Sequence, residues 1–368
     1  LAGKRWSHEL TGWNYFDYSQ YRNLESSSPV ARAHYNQKQI NRGLQAGTSL
    51  NLDNSSFRLL AEEKELKYSY DNFISNSKVE GRRLNTALGF RASQELFPWL
   101  SIWKLALALR GDWSDGDFNP SWRLEQELKL PWGEDIRVGG YLGRSFSQPS
   151  LFDMYWIGDS ETQGNPELKS ETSLGYNLYA SGQFSSLRIK AAYYHNEVEQ
   201  LIQWRQYYLN GITWKPFNVG NAETENYEFD LNWQCRFLNL GGTLTFTDAI
   251  DRSLNPDGTH SATYNKQLVY TPELRANLKL KAGNEIRGLC LAYSYTGEQY
   301  STVDNLIDPL PAFDSLDVES YYKFELGKIG LLAGFKLNNL LDKRYDIYAY
   351  TPQPGRNWTA SLNLSYSP

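Results

Sequence analysis

The most regular feature of the sequence is an alternation of apolar and polar residues with a period of two. From 274 to 282 the even positions are Leu, Ala, Leu, Leu and Ala, and the odd positions are Arg, Asn, Lys and Lys. A similar alternation occurs over 122–130, 316–326 and 357–366. This period predicts β-strands with one apolar and one polar face. Each run has about nine or more residues, enough for a tilted strand to cross a bilayer and more than the average globular strand of about five or six.

The connections between the predicted strands alternate between short and long. Short turns are expected at 51–56, 94–101, 131–136, 182–186, 236–242, 282–285 and 327–330. Longer connections, mostly richer in Asp, Asn, Ser, Pro and Tyr, are expected at 23–35, 73–81, 148–168, 203–213, 249–266, 299–312 and 343–355. Short turns on one side of a membrane and long loops on the other are typical of outer-membrane barrels. The pattern therefore predicts an all-β fold, an antiparallel transmembrane β-barrel, with about sixteen strands and one architectural unit.

Composition agrees with a barrel and argues against other classes of protein. Aromatic residues make up 15% of the 368 residues and the mean hydropathy is −0.59, as expected when one strand face is polar and aromatic rings mark the membrane interfaces. The longest uncharged apolar stretch, about 329–335, is too short for a spanning helix of roughly 20 residues. The 37 basic and 42 acidic residues argue against nucleic acid as a partner. A soluble propeller would show a blade repeat, which the sequence lacks.

One segment departs from simple alternation. Phe57 and Leu59 lie on one face, and after the charged run 62–65 the apolar residues Tyr68 and Tyr70 lie on the other. A β-bulge would explain the change of face, and so would a strand that projects beyond the bilayer. We interpret the charged run as a solvated extension of the strand and not as a ligand site.

Three stretches resemble TonB-dependent outer-membrane receptors in residues, order and spacing. They are 143–150 with 164–171, then 218–222 with 227–228, and 339–345 with 354–356. The residues of the first and third stretches that carry the resemblance are Arg144, Pro149, Gly164, Asn165, Pro166, Glu171, Asn339, Leu340, Asp342, Tyr345, Gly355 and Arg356. Gly, Asn and Pro set turn dihedrals, so we interpret these motifs as structural, ending loops and restarting strands, and not as catalytic.

The resemblance implies a barrel of about 22 strands closed around an N-terminal plug. Residues 1–368 would then be the C-terminal portion of the barrel, and the plug and the first strands would lie outside the chain. Two features depart from the family pattern. Asn226 stands where the family usually has glycine, and Tyr366 is followed by Ser367 and Pro368 where the family typically ends on an aromatic residue.

The function that the resemblance implies is uptake of a scarce, large solute, a ferric siderophore or cobalamin, through a plug-gated barrel in the cell outer membrane. The implied partners are the TonB energy-coupling complex, acting through the plug, the solute itself, and the surrounding lipid and lipopolysaccharide. The sequence segments 198–204 and 216–220 favour the cobalamin-receptor branch of this family. Length and strand count alone would also fit a passive porin of sixteen strands, an alternative against which the three motifs count.

The resemblance also implies that extracellular loops and the plug apex recognise the ligand. Aromatic residues with a few cations in these loops could grip a planar or catecholate ligand by stacking and cation–π contact. The residues proposed for this role are Tyr155, Trp156, Trp204, Arg205, Tyr207, Tyr208, Trp214, Tyr300 and Tyr348. The alternative is that these rings form the outer aromatic girdle or pack loop against loop.

The sequence offers no catalytic or metal-binding constellation. His195 stands near Glu197, but no Ser or Cys arrangement for nucleophilic catalysis accompanies them. The loop at 249–266 contains Asp251 and Asp257 in a spacing that matches no calcium-binding loop. We therefore expect no enzymatic activity, no cofactor and no metal site.

Overall fold

The computed structural model describes residues 5–23, 33–97, 103–132, 134–156, 162–208, 212–218, 220–255 and 257–366. These residues form strands and one short helix. In chain order they are β1 (Arg5–Asn23), β2 (Ala33–Asn51), β3 (Ser55–Asn72), β4 (Ser77–Leu96), β5 (Trp103–Ser114), β6 (Asp117–Leu130), β7 (Asp135–Ser147), α1 (Leu151–Tyr155), β8 (Glu171–Phe184), β9 (Leu187–Glu199), β10 (Ile202–Tyr208), β11 (Ile212–Asn218), β12 (Asn221–Cys235), β13 (Leu238–Asp251), β14 (Leu274–Gly283), β15 (Arg287–Thr296), β16 (Phe313–Leu326), β17 (Ile329–Asn338) and β18 (Asn357–Tyr366). Within the described ranges, no helix is long and apolar enough to cross a membrane.

The strands form one 16-stranded sheet and one two-stranded hairpin. The sheet runs from β1 to β9 and continues from β12 to β18, each strand beside the next, while β10 and β11 form the separate hairpin. The prediction of an all-β, antiparallel fold with about sixteen strands is confirmed. The four alternating segments of the sequence lie in β6, β14, β16 and β18, because period-two alternation lets each strand place its apolar side chains on one face.

Two of the predicted long connections differ in the structure. The connection at 203–213 is not an irregular loop, because the β10–β11 hairpin, rich in Trp, Tyr and Ile, occupies it. The connection at 73–81 is a short turn, because β4 already begins at Ser77. The side-chain oxygen of Asn72 closes this turn by accepting hydrogen bonds from the backbone N–H groups of Ile74 and Ser75 at 2.9 and 3.1 Å.

The bulge predicted as one explanation of segment 57–70 is wrong. Every residue of β3 pairs in unbroken register with β4, from Ser55 opposite Gln94 to Asn72 opposite Ser77. The other explanation was a strand that projects beyond the bilayer. The length of β3 is consistent with it, because its 18 residues exceed the roughly 9–11 that a bilayer crossing needs. The apolar residues change face for a tertiary reason. At the start of β3, Phe57 and Leu59 are exposed, whereas near its end Tyr68 and Tyr70 on the opposite face pack against α1.

The chain divides into two compact units. Unit 1 consists of Leu1–Glu127, Tyr141–Tyr176 and Glu197–Ala222, and unit 2 of Leu128–Gly140, Asn177–Asn196 and Glu223–Pro368. In unit 1, a small hydrophobic core forms where α1 packs on β3 and β4. Its buried members are Tyr68, Tyr70 and Leu151.

Unit 2 contains the regular meander from β13 to β18, in which each strand pairs with the next. Its last strand exposes apolar side chains on one face, where Trp358, Leu362, Leu364 and Tyr366 are 64–69% exposed. An exposed apolar face on a strand is the arrangement that a lipid-facing wall requires.

Candidate functional site

The helix α1 lies between β7 and β8 in the chain and packs on β3 and β4 in unit 1. Pro149 and Ser150 follow the end of β7, and the Ser150 hydroxyl accepts a hydrogen bond from the N–H of Asp153 at 2.9 Å. The same hydroxyl donates to the Asp153 carboxylate at 2.7 Å. This reciprocal cap starts the helix directly after the strand. Leu151 is buried against the core, so the cap and the apolar contact together fix α1 on β3 and β4.

Five aromatic rings meet beside α1 and form what we call the aromatic cluster: Tyr35, Tyr70, Phe152, Trp156 and Trp204. The Trp156 ring lies at its centre, 4.6 Å from Tyr70, 4.8 Å from Phe152 and 5.4 Å from Tyr35 between ring centroids. The indole N–H of Trp204 donates to the Asp153 carboxylate at 2.9 Å, which links β10 to α1. Tilted and edge-to-face contacts at these distances are favourable, so the rings pack into a continuous apolar surface.

A cavity of about 430 Å³ adjoins the cluster, and we call it the wall cavity. Tyr68 and Phe152 contribute to its apolar side. Its polar side includes four amide side chains and charged side chains, among them Gln39, Asn41, Glu62, Lys64, Arg83, Asn85, Arg110, Asp112 and Gln148. The interpretation of the charged run 62–65 as a solvated extension does not hold throughout, because Glu62 and Lys64 line this cavity and Glu65 is buried among three cationic side chains. A concave surface with an apolar side and convergent polar groups is the usual form of a small-molecule site.

Ion pairs neutralise much of the charge in the wall cavity. The Arg110 guanidinium donates to both oxygens of Asp112 at 2.8 Å and to Glu62 at 3.1 Å. Arg83 has a side chain only 6% exposed and lies 3.7 Å from the carboxylate of Asp115. One guanidinium nitrogen of Arg83 donates to the carbonyl of Pro149 at 2.7 Å, and so joins β4 to the start of α1.

The Gly-Asn-Pro motif joins the α1 segment to the β10–β11 hairpin. The N–H of Gly164 donates to the carbonyl of Trp156 at 2.6 Å, and the N–H of Asn165 donates to the carbonyl of Asp153 at 2.8 Å. The Asn165 side chain, which is buried, donates to the carbonyl of Pro216 on β11 at 2.9 Å. The motif therefore holds the aromatic cluster together from both sides.

Replacing Gly164 with alanine is expected to destabilise this loop by about 1–3 kcal/mol, the usual cost of overpacking. A Cβ at Gly164 would lie 2.7 Å from the nitrogen of Trp156 and 2.8 Å from the carbonyl carbon of Met154, and both are backbone atoms. Limited proteolysis and urea unfolding in detergent would measure the loss. Gly12→Ala is the control, because its Cβ would meet only ordinary contacts of 3.8 Å or more. Equal stability of the two variants would contradict this packing.

The structure brings some of the residues predicted to bind ligand together, and separates others. Tyr155 packs over Gly81, and Trp156 and Trp204 belong to the aromatic cluster. Trp214 is 38% exposed, and its carbonyl accepts a hydrogen bond from the N–H of Gln163. The backbones of Arg205, Tyr207 and Tyr208 belong to β10, and their side chains lie outside the described part of the chain.

Tyr300 and Tyr348, the other two predicted residues, lie in unit 2. Both contact Tyr270: the carbonyl of Tyr300 accepts its N–H at 2.8 Å, and the Tyr348 ring lies edge-on to its ring at 5.0 Å. The rings of Tyr270 and Tyr348 thus form an aromatic pair within unit 2.

The remaining motif residues make local contacts in strands and loops. Glu171 accepts the N–H of Ile202 at 2.6 Å, Arg144 is half-buried on β7, and Pro166 is exposed in the turn before β8.

The contacts in the last loop are equally local. The N–H of Leu340 donates to the carbonyl of Leu316 at 2.7 Å, and the Tyr345 ring stacks on Phe313 at 4.2 Å. The Asp342 carboxylate accepts the N–H of Arg356, the residue after Gly355, at 2.8 Å.

Asp251 and Asp257, the carboxylates considered above as calcium ligands, accept hydrogen bonds from neighbouring residues of their own loop. Asp251 accepts hydrogen bonds from the N–H of Ser253 at 2.6 Å and the hydroxyl of Thr263 at 2.8 Å. The hydroxyl and N–H of Thr259 donate to Asp257 and hold the pKa of that carboxyl below its usual value. These bonds define a structured loop between β13 and β14.

The comparison with protein families gives one match over most of the chain. Residues 2–340 match the family described as TonB dependent receptor-like, beta-barrel. Two curated relatives are vitamin B12 transporters BtuB: one from Vibrio vulnificus is 26% identical over 229 residues, and one from Photobacterium profundum is 26% identical over 282 residues. These alignments cover 61% and 75% of this chain.

Solved structures share the fold. The copper transporter OprC has a TM-score of 0.74 at 14% identity, with 96% of this chain covered. A mutant of the ferric enterobactin receptor PfeA from Pseudomonas aeruginosa has a TM-score of 0.71 at 19% identity, with 98% covered. The chain spans only 34% and 43% of the two vitamin B12 transporters, and 62% and 59% of these two structures. These matches do not favour the alternative of a passive porin.

Proposed function

Because the chain belongs to the TonB-dependent receptor-like β-barrel family, we propose that it forms part of the wall of an outer-membrane receptor for a scarce, large solute. The first candidate solute is cobalamin and the second is a ferric siderophore. The family consists of receptors and transporters and not of enzymes, so the expected activity is binding and translocation.

The observation that supports cobalamin is the composition of the wall cavity beside the aromatic cluster. Cobalamin is a large, nearly flat ring system that carries several neutral amide groups. Amide side chains of the wall cavity can donate to and accept from such groups, and the adjoining rings offer an apolar surface for the ring system. The 26% identity to vitamin B12 transporters supports the same choice.

A ferric siderophore is the second candidate because such complexes are often anionic. Arg110 is already paired with two carboxylates and offers little net positive charge. Lys64, which also lines the wall cavity, supplies an ammonium group that an anionic chelate could approach. Because the other charges described in the wall cavity are already paired, Lys64 alone gives little attraction for an anion. The cavity therefore favours a neutral ligand over a strongly charged one.

The proposal also includes a location and partners. Proteins of this family belong to the Gram-negative outer membrane, so we assign this chain to that membrane, in contact with lipid and lipopolysaccharide. We further propose that the chain is the C-terminal portion of a longer barrel, whose plug lies in the rest of the polypeptide and receives energy from the TonB complex.

Binding and uptake of cyanocobalamin by the full-length receptor test the proposal. Intrinsic tryptophan fluorescence and uptake into cells that lack other cobalamin receptors should both show saturation. Trp156→Ala should weaken binding by about tenfold to a hundredfold, because it removes roughly 1.5–3 kcal/mol of aromatic contact. Trp132→Ala is the control, since that ring is 66% exposed in a turn.

Each outcome decides between the candidates. Saturable binding of cyanocobalamin that is sensitive to Trp156 supports the first candidate. Saturable binding of a ferric catecholate chelate alone would replace it with the second. Binding of neither solute, or equal effects of the two tryptophan variants, would contradict the proposed site.

A further inference from the structure

Three side chains of unit 2 converge although the sequence separates them. His195 lies on β9, and Glu223 and Glu225 lie on β12. One ligand atom from each side chain lies within 4.8 Å of the other two. The strands β9 and β12 are neighbours in the sheet, so the two carboxylates, spaced by two positions on one strand, face the histidine from the adjacent strand.

Neighbouring residues hold both carboxylates in place. The hydroxyl of Tyr193 donates to Oε1 of Glu225 at 3.0 Å. The Arg252 guanidinium donates to Oε2 of Glu223 at 2.7 Å. Hydrogen bonds of this kind orient metal-binding carboxylates and reduce the side-chain freedom that binding would otherwise remove.

The histidine lies close to one of the two carboxylates. Its side chain is only 13% exposed, and Nδ1 lies 3.6 Å from Oε1 of Glu225. Two ligands of a tetrahedral ion with bonds of about 2.0–2.1 Å stand roughly 3.3–3.5 Å apart. A small movement of the Glu225 side chain would therefore bring both atoms into the coordination sphere of one ion.

We propose that His195, Glu223 and Glu225 form a binding site for a divalent transition-metal ion of the zinc type. One imidazole nitrogen and two carboxylates are a ligand set that suits such ions, whereas calcium and magnesium take oxygen ligands almost exclusively. Three protein ligands leave a fourth position for water or an external ligand. Within the described ranges, this is the one group of three or more His, Cys, Asp or Glu residues with such geometry.

An ion bound at this site would link β9 and β12, two neighbouring strands that the chain does not connect directly. Between β9 and β12 the chain forms the β10–β11 hairpin, so no short turn holds these two strands in register. A shared ion adds a cross-link that the backbone lacks. Binding requires neutral imidazole and ionised carboxylates, so affinity falls as the pH is lowered.

Zinc affinity and the cobalt absorption spectrum of the full-length receptor in detergent test this site. Zinc binding is measured at pH 7.5 by competition with a chromophoric chelator, and cobalt is added as a spectroscopic probe of imidazole and carboxylate ligands. The wild-type protein should bind one ion with visible cobalt bands. His195→Gln and, separately, Glu225→Gln should each weaken zinc binding by at least about tenfold and abolish the bands.

His260→Gln is the matched control, because His260 stacks on Tyr264 and does not belong to the three-residue group. It should bind zinc like the wild type. Heat-modifiable electrophoresis shows which variants are folded, and Glu223→Gln provides a further variant if one of the others does not fold. Absence of stoichiometric binding in the wild type, or equal affinity in folded His195→Gln and wild-type protein, would overturn the proposal.

Discussion

Replacing Arg83 with methionine is expected to weaken ligand binding by about tenfold to a hundredfold. Arg83 is almost fully buried and donates to the carbonyl of Pro149 at 2.7 Å and to the sulfur of Met154 at 2.9 Å. It thus holds both ends of α1, which carries Phe152 into the aromatic cluster. Methionine keeps apolar volume but leaves a buried carbonyl unpaired, and losing a charged hydrogen bond costs about 1.5–3 kcal/mol.

Arg82→Met provides a matched control for this prediction. Arg82 is the preceding residue of β4, so its side chain points to the opposite face, where it is 66% exposed and pairs with Glu65. Both variants lose one positive charge from the same strand. Binding of cyanocobalamin, measured by fluorescence titration, should fall only for Arg83→Met. A similar fall in both variants would show that α1 is not positioned by Arg83.

Replacing Asn339 with alanine is expected to destabilise the folded protein by about 2–4 kcal/mol. The buried Asn339 side chain donates to the carbonyls of Lys343 and Pro354 at 2.8 and 3.3 Å and accepts the N–H of Lys343 at 3.1 Å. Each bond contributes about 1 kcal/mol, and alanine also tolerates the backbone φ of 50° at this position less well than asparagine. The loop between β17 and β18 would lose its central anchor.

Asn338→Ala is the control for the loop anchor, because Asn338 makes one side-chain hydrogen bond, to Asn357 across the strand pair. Urea unfolding in detergent, followed by tryptophan fluorescence, should show a large loss for Asn339→Ala and a loss of about 1 kcal/mol or less for Asn338→Ala. Stability that is equal in the two variants would contradict the assigned role of Asn339.

The strands were predictable from the sequence because alternation is a local property. The runs around Leu278 and Leu362 predict strands, and the structure confirms them as β14 and β18. The interpretation of 57–70 was wrong about a bulge because the sequence shows that the apolar residues change face but not why. The reason is tertiary: Tyr68 and Tyr70 pack against α1, which lies about 80 residues further along the chain.

The candidate site was only partly predictable for the same reason. The aromatic loop residues Trp156 and Trp204 were identifiable by composition, whereas Tyr35 and Tyr70 look like ordinary strand residues until the fold brings them together. The change of face in β3 was the one signal that pointed to Tyr70.

The group formed by His195, Glu223 and Glu225 was missed because it depends on the adjacency of β9 and β12, which the intervening hairpin hides in the sequence. The expectation of no metal site rested on spacing along the chain, and spacing carries no information about strands that pair across an insertion.

The most direct test of the proposed plug-gated receptor is the intact mass of the native polypeptide, recovered from outer membranes with an antibody against this chain. A gated receptor requires a plug and further strands, so we predict a species well above the 42.4 kDa of these residues. A mature polypeptide of about 42.4 kDa would leave no plug to gate the barrel, and would contradict the proposed receptor in favour of a passive pore.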